Sequence, residues 1–512
     1  MTHFAGAYLR RPDDAAIERL VPQVVAAFPA PPDTISVWQS PSFCLIGFDN
    51  QSFPDPGPPN VGDSMCGVAG DPLYRKGGRL RGEQILALSQ ALGSAPASTL
   101  AECDGTFALV QYQSRENRLI LAADKVGARP HYFWFDDRWI VFSTSMGILE
   151  RCTAVPKVVS LRGLFEYLTL GYSLSDRTPY RDIAVLRGGE LLTACGAELK
   201  RSPYFRWDEL PIRDDDPVTR LKDIYNLCVS AVERRAWRSP DCLSLLSGGL
   251  DSRLIVGALL TLGKHVTALN FAPEGYPSQD EAYAKAVARE LGIRLLSIPM
   301  PLSGWTWGNL TKQALSALQG SGACPPKLVF SGDGGSVGLG AVYLNEQVVS
   351  DIRAGKASSV VEEYVSNNVT ISARFVPRCL LVAARAAIGA NISTELQASN
   401  VEPGRQWHLF LMNNDQHRHL HEWYENVEEH GVEYALPFFD GQFLEYILSS
   451  PLDPFLGHRL YHDLLALFPA SLTRAAWQTY PGHLPCPIAP EENSMSQFTR
   501  RGKQYHLREG RP

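Results

Sequence analysis

The stretch Leu245-Leu246-Ser247-Gly248-Gly249-Leu250-Asp251-Ser252-Arg253 lies near the middle of a 512-residue chain and gathers residue types that hold an anion. Two glycines after a short apolar run let the backbone approach a phosphate closely, and the Ser247 and Ser252 hydroxyls add donors. A helix starting at Asp251 would aim the positive end of its dipole at the same point. Ser247, Gly248, Gly249, Leu250, Asp251 and Ser252 are therefore the expected nucleotide-binding residues. The same residues also fit a Gly-rich strand-to-helix turn with an acidic residue at the helix start, which would bind nothing. A Walker loop requires G-x-x-x-x-G-K-[ST]. The nearest run, Gly257 to His265 (GALLTLGKH), has five intervening residues and His in the last place, and reads as a helix end.

The elements around this loop alternate. CLSLL (242–246) reads as a short buried strand, Asp251 to Leu262 as a helix ended by Gly263, and HVTALNF as the next strand. Gln279 to Leu291 then reads as a helix ended by Gly292, and IRLLSIP as a third strand. This alternation predicts a doubly wound parallel sheet with ligands at the carboxyl ends of its strands. Residues 1–205 instead hold short β-type runs, SFCLIGF, TFALVQY, RLILAAD, HYFWF and WIVFST, broken by turn residues, which predicts a largely antiparallel domain. Prolines and acidic residues accumulate in RSPYFRWDELPIRDDDP (201–217), the expected linker, and a helix is predicted from Pro217. The expectation is thus a two-domain α/β chain: 1–205, antiparallel α+β, and 218–512, a parallel-sheet domain with added helices beyond about residue 355 and a Pro-rich tail.

Composition narrows the partners. Hydrophobic residues make up 45% and charged residues 20%, with formal net charge −6, which is ordinary for a globular chain and gives no nucleic-acid signature. The ten cysteines form no C-x-x-C pair, so reduced thiols are expected rather than a zinc or redox site. The start, MTHFAGAYLRRPDDAA, lacks the apolar core of a signal peptide, and no uncharged apolar run of about 18 residues occurs. The expectation is a cytoplasmic protein with no membrane segment and no nucleic-acid partner.

The S-G-G-x-D-S form resembles the loop of the ATP pyrophosphatase group, which implies attack at the α phosphate of ATP, acyl adenylation and release of pyrophosphate. Asp251 would supply a hard carboxylate for Mg²⁺ at the leaving pyrophosphate. SQDEAYAKAVARELGI (278–293), VFSGDGGSVGLG (329–340) and HGVEYALPFFD (430–440), in that order, resemble the synthetase domain of the asparagine synthetase family. Upstream, DGTFALVQY (104–112), AADKVGARPHYF (122–133) and IVFSTSMGILE (140–150) resemble that family's N-terminal Ntn-type glutaminase fold. ATP and Mg²⁺ are the cofactors the resemblance implies.

Three departures and one match sharpen the expectation. Glutamine-using members of the family carry cysteine at residue 2, where this chain has Thr2; Cys66, in MCGVAG (65–70), matches the family's usual start in letters but is internal. Glutamine hydrolysis is therefore not expected, and the amine must come from elsewhere. In Ser331-Gly332-Asp333-Gly334-Gly335-Ser336, Asp333 falls at the family's acidic position and Ser336 replaces its usual aspartate, which makes Asp333 the expected metal partner of Asp251. The late lysine that relatives use to stabilise charge is missing, since no lysine lies between Lys356 and Lys503; Arg459, in GHRLYHDLL, is the positional substitute, or else a helix-surface arginine. Glu433 resembles the glutamate before the family's P-F-L-D run and would help Asp333 handle the attacking amine, or else form a structural ion pair. Asp280 and Glu281 read as helix caps, or else as a contact to the nucleotide site, and His417, His419, His421 and His430, which include the i,i+4 pair His417 and His421, as a solvated or partner-facing face rather than a metal site.

These combinations look most like lasso peptide cyclases. That resemblance implies adenylation of a peptide side-chain carboxylate, closure of a macrolactam by the same peptide's amine, a precursor core peptide as substrate and a leader peptidase as partner. A β-lactam synthetase-like or asparagine synthetase-like ligase of small molecules, and an inactive binding scaffold, are the alternatives.

Overall fold

The computed structural model describes residues 1–11, 16–30, 34–53, 55, 57, 60–236, 239–275, 278–301, 303–320, 325–340, 343–368, 376–427, 431–480 and 482–488. The chain forms two compact units, each built from two stretches: Met1–Leu210 with Val349–Glu428, and Pro211–Val348 with the chain from Glu429. The span expected as one domain, 218–512, is therefore divided. Its middle helices join the first unit through specific bonds: Arg187 to Glu395 at 2.6 Å, Tyr172 to Tyr364 at 2.9 Å, and the Asn391 amide to Glu166 at 2.6 Å.

In the first unit two six-stranded antiparallel sheets face each other. One runs Ile183–Val185, Tyr132–Phe135, Trp139–Ser143, His3–Leu9, Phe43–Phe48, Ile35–Ser40; the other runs Glu198–Pro203, Glu190–Cys195, Arg118–Ala123, Thr106–Gln113, Ser64–Asp71, Asn60–Val61. His3–Leu9 shows why they stack. Its Phe4 and Tyr8 meet Val110, Leu121 and Leu192 of the opposite sheet, while Ala5, Ala7 and Leu9 face Ile17, Leu20 and Val24 of the helix Ala16–Ala27. A period of two, apolar on both faces, fixes a strand buried on both sides. On the far side of the second sheet, Ile85, Leu88 and Leu92 of the helix Arg81–Leu92 pack on Val68, Phe107 and Leu109.

The helix Arg378–Gln397 is long and apolar enough, by length and composition, to cross a membrane. Its Leu381, Ile388, Ile392 and Leu396 are nevertheless buried within this unit, at the spacing of one helical face. His421, expected on a solvated or partner-facing face, instead turns inward: its Nε2 lies 3.3 Å from the Gly127 carbonyl and burial pushes its pKa down to about 4. The side chains of His417 and His419, and His430, lie outside the described residues.

Glu425 in the same unit accepts the Met146 amide at 2.8 Å, and burial pushes its carboxyl up to about 7. An unfolded glutamate titrates near ~4.3, so between that pH and about 7 the native state binds the extra proton. Stability should fall as pH rises through this window and level off above it. Glu425→Gln should flatten that part of the slope in melting temperatures measured across the window; a slope unchanged from wild type would refute the assignment.

The second unit carries a five-stranded parallel sheet in the order Arg294–Met300, His265–Pro273, Asp241–Leu245, Leu328–Phe330, Glu433–Ala435. Successive strands add to one side of Asp241–Leu245, and then the chain crosses to Leu328–Phe330 on the other. That reversal opens a crevice beyond the carboxyl ends of these two strands. The helices Leu250–Thr261 and Gln279–Leu291 form as the spacing predicts, the latter ended by Gly292 in the left-handed region at φ 65°.

Candidate active site

Two loops leave the sheet at this reversal, one after Leu245 and one after Phe330. The first is braced from within: the Ser247 amide donates to Ser252 Oγ at 3.0 Å, the two serine hydroxyls lie 3.0 Å apart, and the Gly249 amide donates to Ser247 Oγ at 3.2 Å. The Gly248 amide donates to Asp280 Oδ1 at 2.7 Å. Asp280 thus acts across to the loop as well as standing at the start of its own helix, and burial raises its pKa while the Gly248 amide and the Asn270 side chain oppose the rise. Gly249, the residue before the helix Leu250–Thr261, makes no side-chain cap. The first-turn amides of Leu250, Asp251 and Ser252 have no intrahelical acceptor and face the crevice end, the arrangement that receives a phosphate.

The second loop abuts the first through its glycines. A Cβ on Gly332 would stand 2.5 Å from the Ser252 nitrogen, and one on Gly335 2.8 Å from Asp251 Cγ, so no side chain fits at either position. This approach brings Asp251 to Ser336, whose hydroxyl donates to Oδ2 at 2.5 Å and whose amide donates to the same oxygen at 3.1 Å. Tyr461 donates its hydroxyl to Oδ1 at 2.5 Å. Burial raises the Asp251 pKa, these hydrogen bonds lower it, and the nearby Asp333 charge raises it again, leaving it above the ordinary value. Asp333 is held at the loop by Ser331, whose hydroxyl donates to Oδ2 at 2.7 Å.

Among the described residues no group of three or more His, Cys, Asp or Glu forms a ready-made metal cage. Two hard carboxylates beside an uncapped helix start still fit Mg²⁺, which keeps waters and takes substrate phosphates with one or two carboxylates.

Two expected residues stand apart from this cluster. Glu433 is the first residue of its strand, paired with Leu328, whereas Ser331 and Asp333 follow the last residue of the neighbouring strand. Parallel pairing therefore sets the Glu433 backbone at the amino edge, two residues back from the crevice end. Arg459 pairs with Glu346 on the surface and donates to the Asp453 carbonyl at 3.1 Å, so its placement gives no support to a charge-stabilising role. Sequence reasoning missed Tyr461, two residues beyond Arg459, because nothing in its local spacing marks a tyrosine that reaches another loop.

Arg253 follows the loop in the first turn of the helix Leu250–Thr261. Fully buried, it donates to the carbonyls of Leu472, Ala475 and Ala476 at 2.9, 2.7 and 2.7 Å. Burial pushes its pKa down to about 10. The segment it holds continues to Gln478, whose amide donates to the Gly248 carbonyl at 3.0 Å.

Residues 79–205 match the glutamine amidotransferase domain and residues 223–300 match asparagine synthase, in the order in which the two halves occur here. Within these two segments the chain is similar to the glutamine amidotransferase and asparagine synthase domains. A curated relative is the probable asparagine synthetase [glutamine-hydrolyzing] of Acanthamoeba polyphaga mimivirus, 28% identical over 201 residues, which are 38% of this chain and 34% of that protein. The chain therefore matches about a third of that relative's length. Among solved structures, the glutamine phosphoribosylpyrophosphate amidotransferase from B. subtilis complexed with ADP and GMP aligns at a TM-score of 0.27 and 11% identity, over 64% of this chain and 81% of that one. A second, titled the structure of the allosteric regulatory enzyme of purine biosynthesis, aligns at 0.25 and 11%, over 64% and 74%.

Proposed function

We propose that the chain is an AMP-forming amide ligase: a substrate carboxylate attacks the α phosphate of ATP, pyrophosphate leaves, and an amine displaces AMP from the acyl adenylate. The observation that carries this reading is the Asp251 carboxylate at an uncapped helix start, with the Asp333 loop closed against it. Ser247, Ser252 and the first-turn amides would bind the phosphates, and Asp251 and Asp333 would hold Mg²⁺, which supplies positive charge for the leaving pyrophosphate. The two loops orient ATP and exclude alternative poses, a positioning effect worth several orders of magnitude in rate.

The amine source divides the narrower readings. Cys66 is a core thiol, buried among Val68, Ile85 and Leu88 and pushed up to about 12, which does not suit a nucleophile. Thr2 accepts the Asn50 amide at 2.9 Å. Both favour an amine that arrives with a substrate over one released from glutamine in this unit. Similarity to asparagine synthetases supports a small amino acid as that substrate; the SGDGGS run and the missing late lysine support the peptide macrolactam reading, with a precursor core peptide and a leader peptidase as partners.

Incubation with ATP, Mg²⁺ and either aspartate with ammonia or peptides bearing a side-chain carboxylate tests the proposal. AMP and pyrophosphate are expected. A peptide mass reduced by one water would select cyclisation, and a small amide product the other reading; ADP as the nucleotide product would sink adenylation, and no nucleotide turnover with any substrate would favour a scaffold.

A further inference from the structure

The contacts of Asp251 can be counted. A carboxylate offers about four acceptor positions, two on each oxygen. Oδ2 receives both the hydroxyl and the amide of Ser336, while Oδ1 receives the Tyr461 hydroxyl alone. Among the described residues no other donor reaches this carboxylate, so one position stays open, on Oδ1, the oxygen that Tyr461 touches.

Tyr461 is itself held by an unusual piece of backbone. It lies fully buried on the helix Arg459–Leu465, and the residue before that helix, His458, adopts left-handed geometry at φ 62°. A non-glycine residue there is strained and persists only where its surroundings enforce it. The enforcement is visible: the His458 Nε2–H donates to the Gly340 carbonyl, and its ring packs against Tyr461, Tyr480 and His483 with centroids 5.5, 5.8 and 4.2 Å away. Gly340 ends the short helix Gly335–Leu339, which carries Ser336. The two donors that grip Asp251 from opposite oxygens are thus tied to each other through His458.

We propose that Tyr461, set by the His458–Gly340 link, is a positioning residue that presents Oδ1 of Asp251 to a divalent cation. The inference rests on the adenylation reading in taking Asp251 as a cation ligand. Groups that orient a ligand from behind typically change metal affinity by about 10–100-fold when removed. Ser336 fits the same scheme: an aspartate there would set a second negative charge against Oδ2, whereas the serine donates to it.

Mn²⁺ in place of Mg²⁺, with α,β-methylene ATP so that no turnover occurs, gives a bound-metal electron paramagnetic resonance signal that can be titrated without reading activity. Tyr461→Phe should weaken Mn²⁺ binding by about tenfold or more while binding of the nucleotide without metal stays unchanged. His458→Asn keeps a residue that tolerates left-handed backbone but removes the ring contacts, and should weaken Mn²⁺ in the same direction. Wild-type Mn²⁺ affinity in Tyr461→Phe, or in His458→Asn should the first variant not fold, overturns the positioning role. Wild-type affinity in Asp251→Asn would instead remove the cation reading beneath it, so the two failures are distinct.

Discussion

Asp251→Ala should lower AMP release on the order of a thousandfold, the equivalent of roughly 4 kcal/mol of lost charge stabilisation at the pyrophosphate. The carboxylate sits where the loop, the helix start and the Asp333 loop converge; its replacement removes the proposed cation ligand and the side-chain atoms that Gly335 approaches, while the Gly332 contact with the Ser252 backbone remains. Alanine also leaves the Ser336 and Tyr461 hydroxyls without their acceptor. Asp251→Asn therefore belongs beside it: the amide keeps one acceptor oxygen, so the fold should be better preserved while activity falls by a similar factor. Pyrophosphate release and melting temperature measured together separate the two effects. Activity within tenfold of wild type in either variant would refute Asp251 as the metal carboxylate.

Arg253→Met should destabilise the protein by about 3 kcal/mol or more, because three carbonyls that now accept from one guanidinium would be left buried, at about 1–3 kcal/mol each. Arg253→Lys should recover only part, since one ammonium cannot serve three acceptors set for a planar fork. Urea unfolding of the three proteins gives the comparison. The same segment bonds the Gly248 carbonyl through the Gln478 amide, so ATP binding should weaken along with stability. A change below about 1 kcal/mol would mean that the carbonyls find other donors and that Arg253 is dispensable.

Much of the second unit was legible because its signals are local. The strand, turn and helix around Ser247–Ser252 follow from a run of apolar residues, two glycines and a periodic stretch, and Gly292 ends its helix where the sequence places it. The five runs expected as strands in the first 205 residues all form strands. His3–Leu9 was not among them: a segment apolar on both faces shows no alternation, so its period of two is hidden. The grouping of helices 349–428 with the first unit was equally hidden, since it depends on bonds such as Arg187 to Glu395 that join residues 208 apart in sequence. Arg459 and Tyr461 show the limit of positional reasoning within one turn: both were in view, and only the fold decided that the tyrosine faces Asp251 while the arginine meets Glu346.

The order in which the two units draw on the chain bears on how the protein is made. Synthesis delivers Met1–Leu210 first, but the helices that complete this unit emerge only with Val349–Glu428, after the whole nucleotide loop has left the ribosome. The second unit waits longer still, because its strand Glu433–Ala435 and its Tyr461 arrive last. Neither unit can finish its core before the other has begun, so the first unit carries exposed apolar surface until Val349–Glu428 has been made. The Asp251 carboxylate meets Tyr461 only after 210 further residues have been added, so the candidate site waits on a segment made long after its own loop.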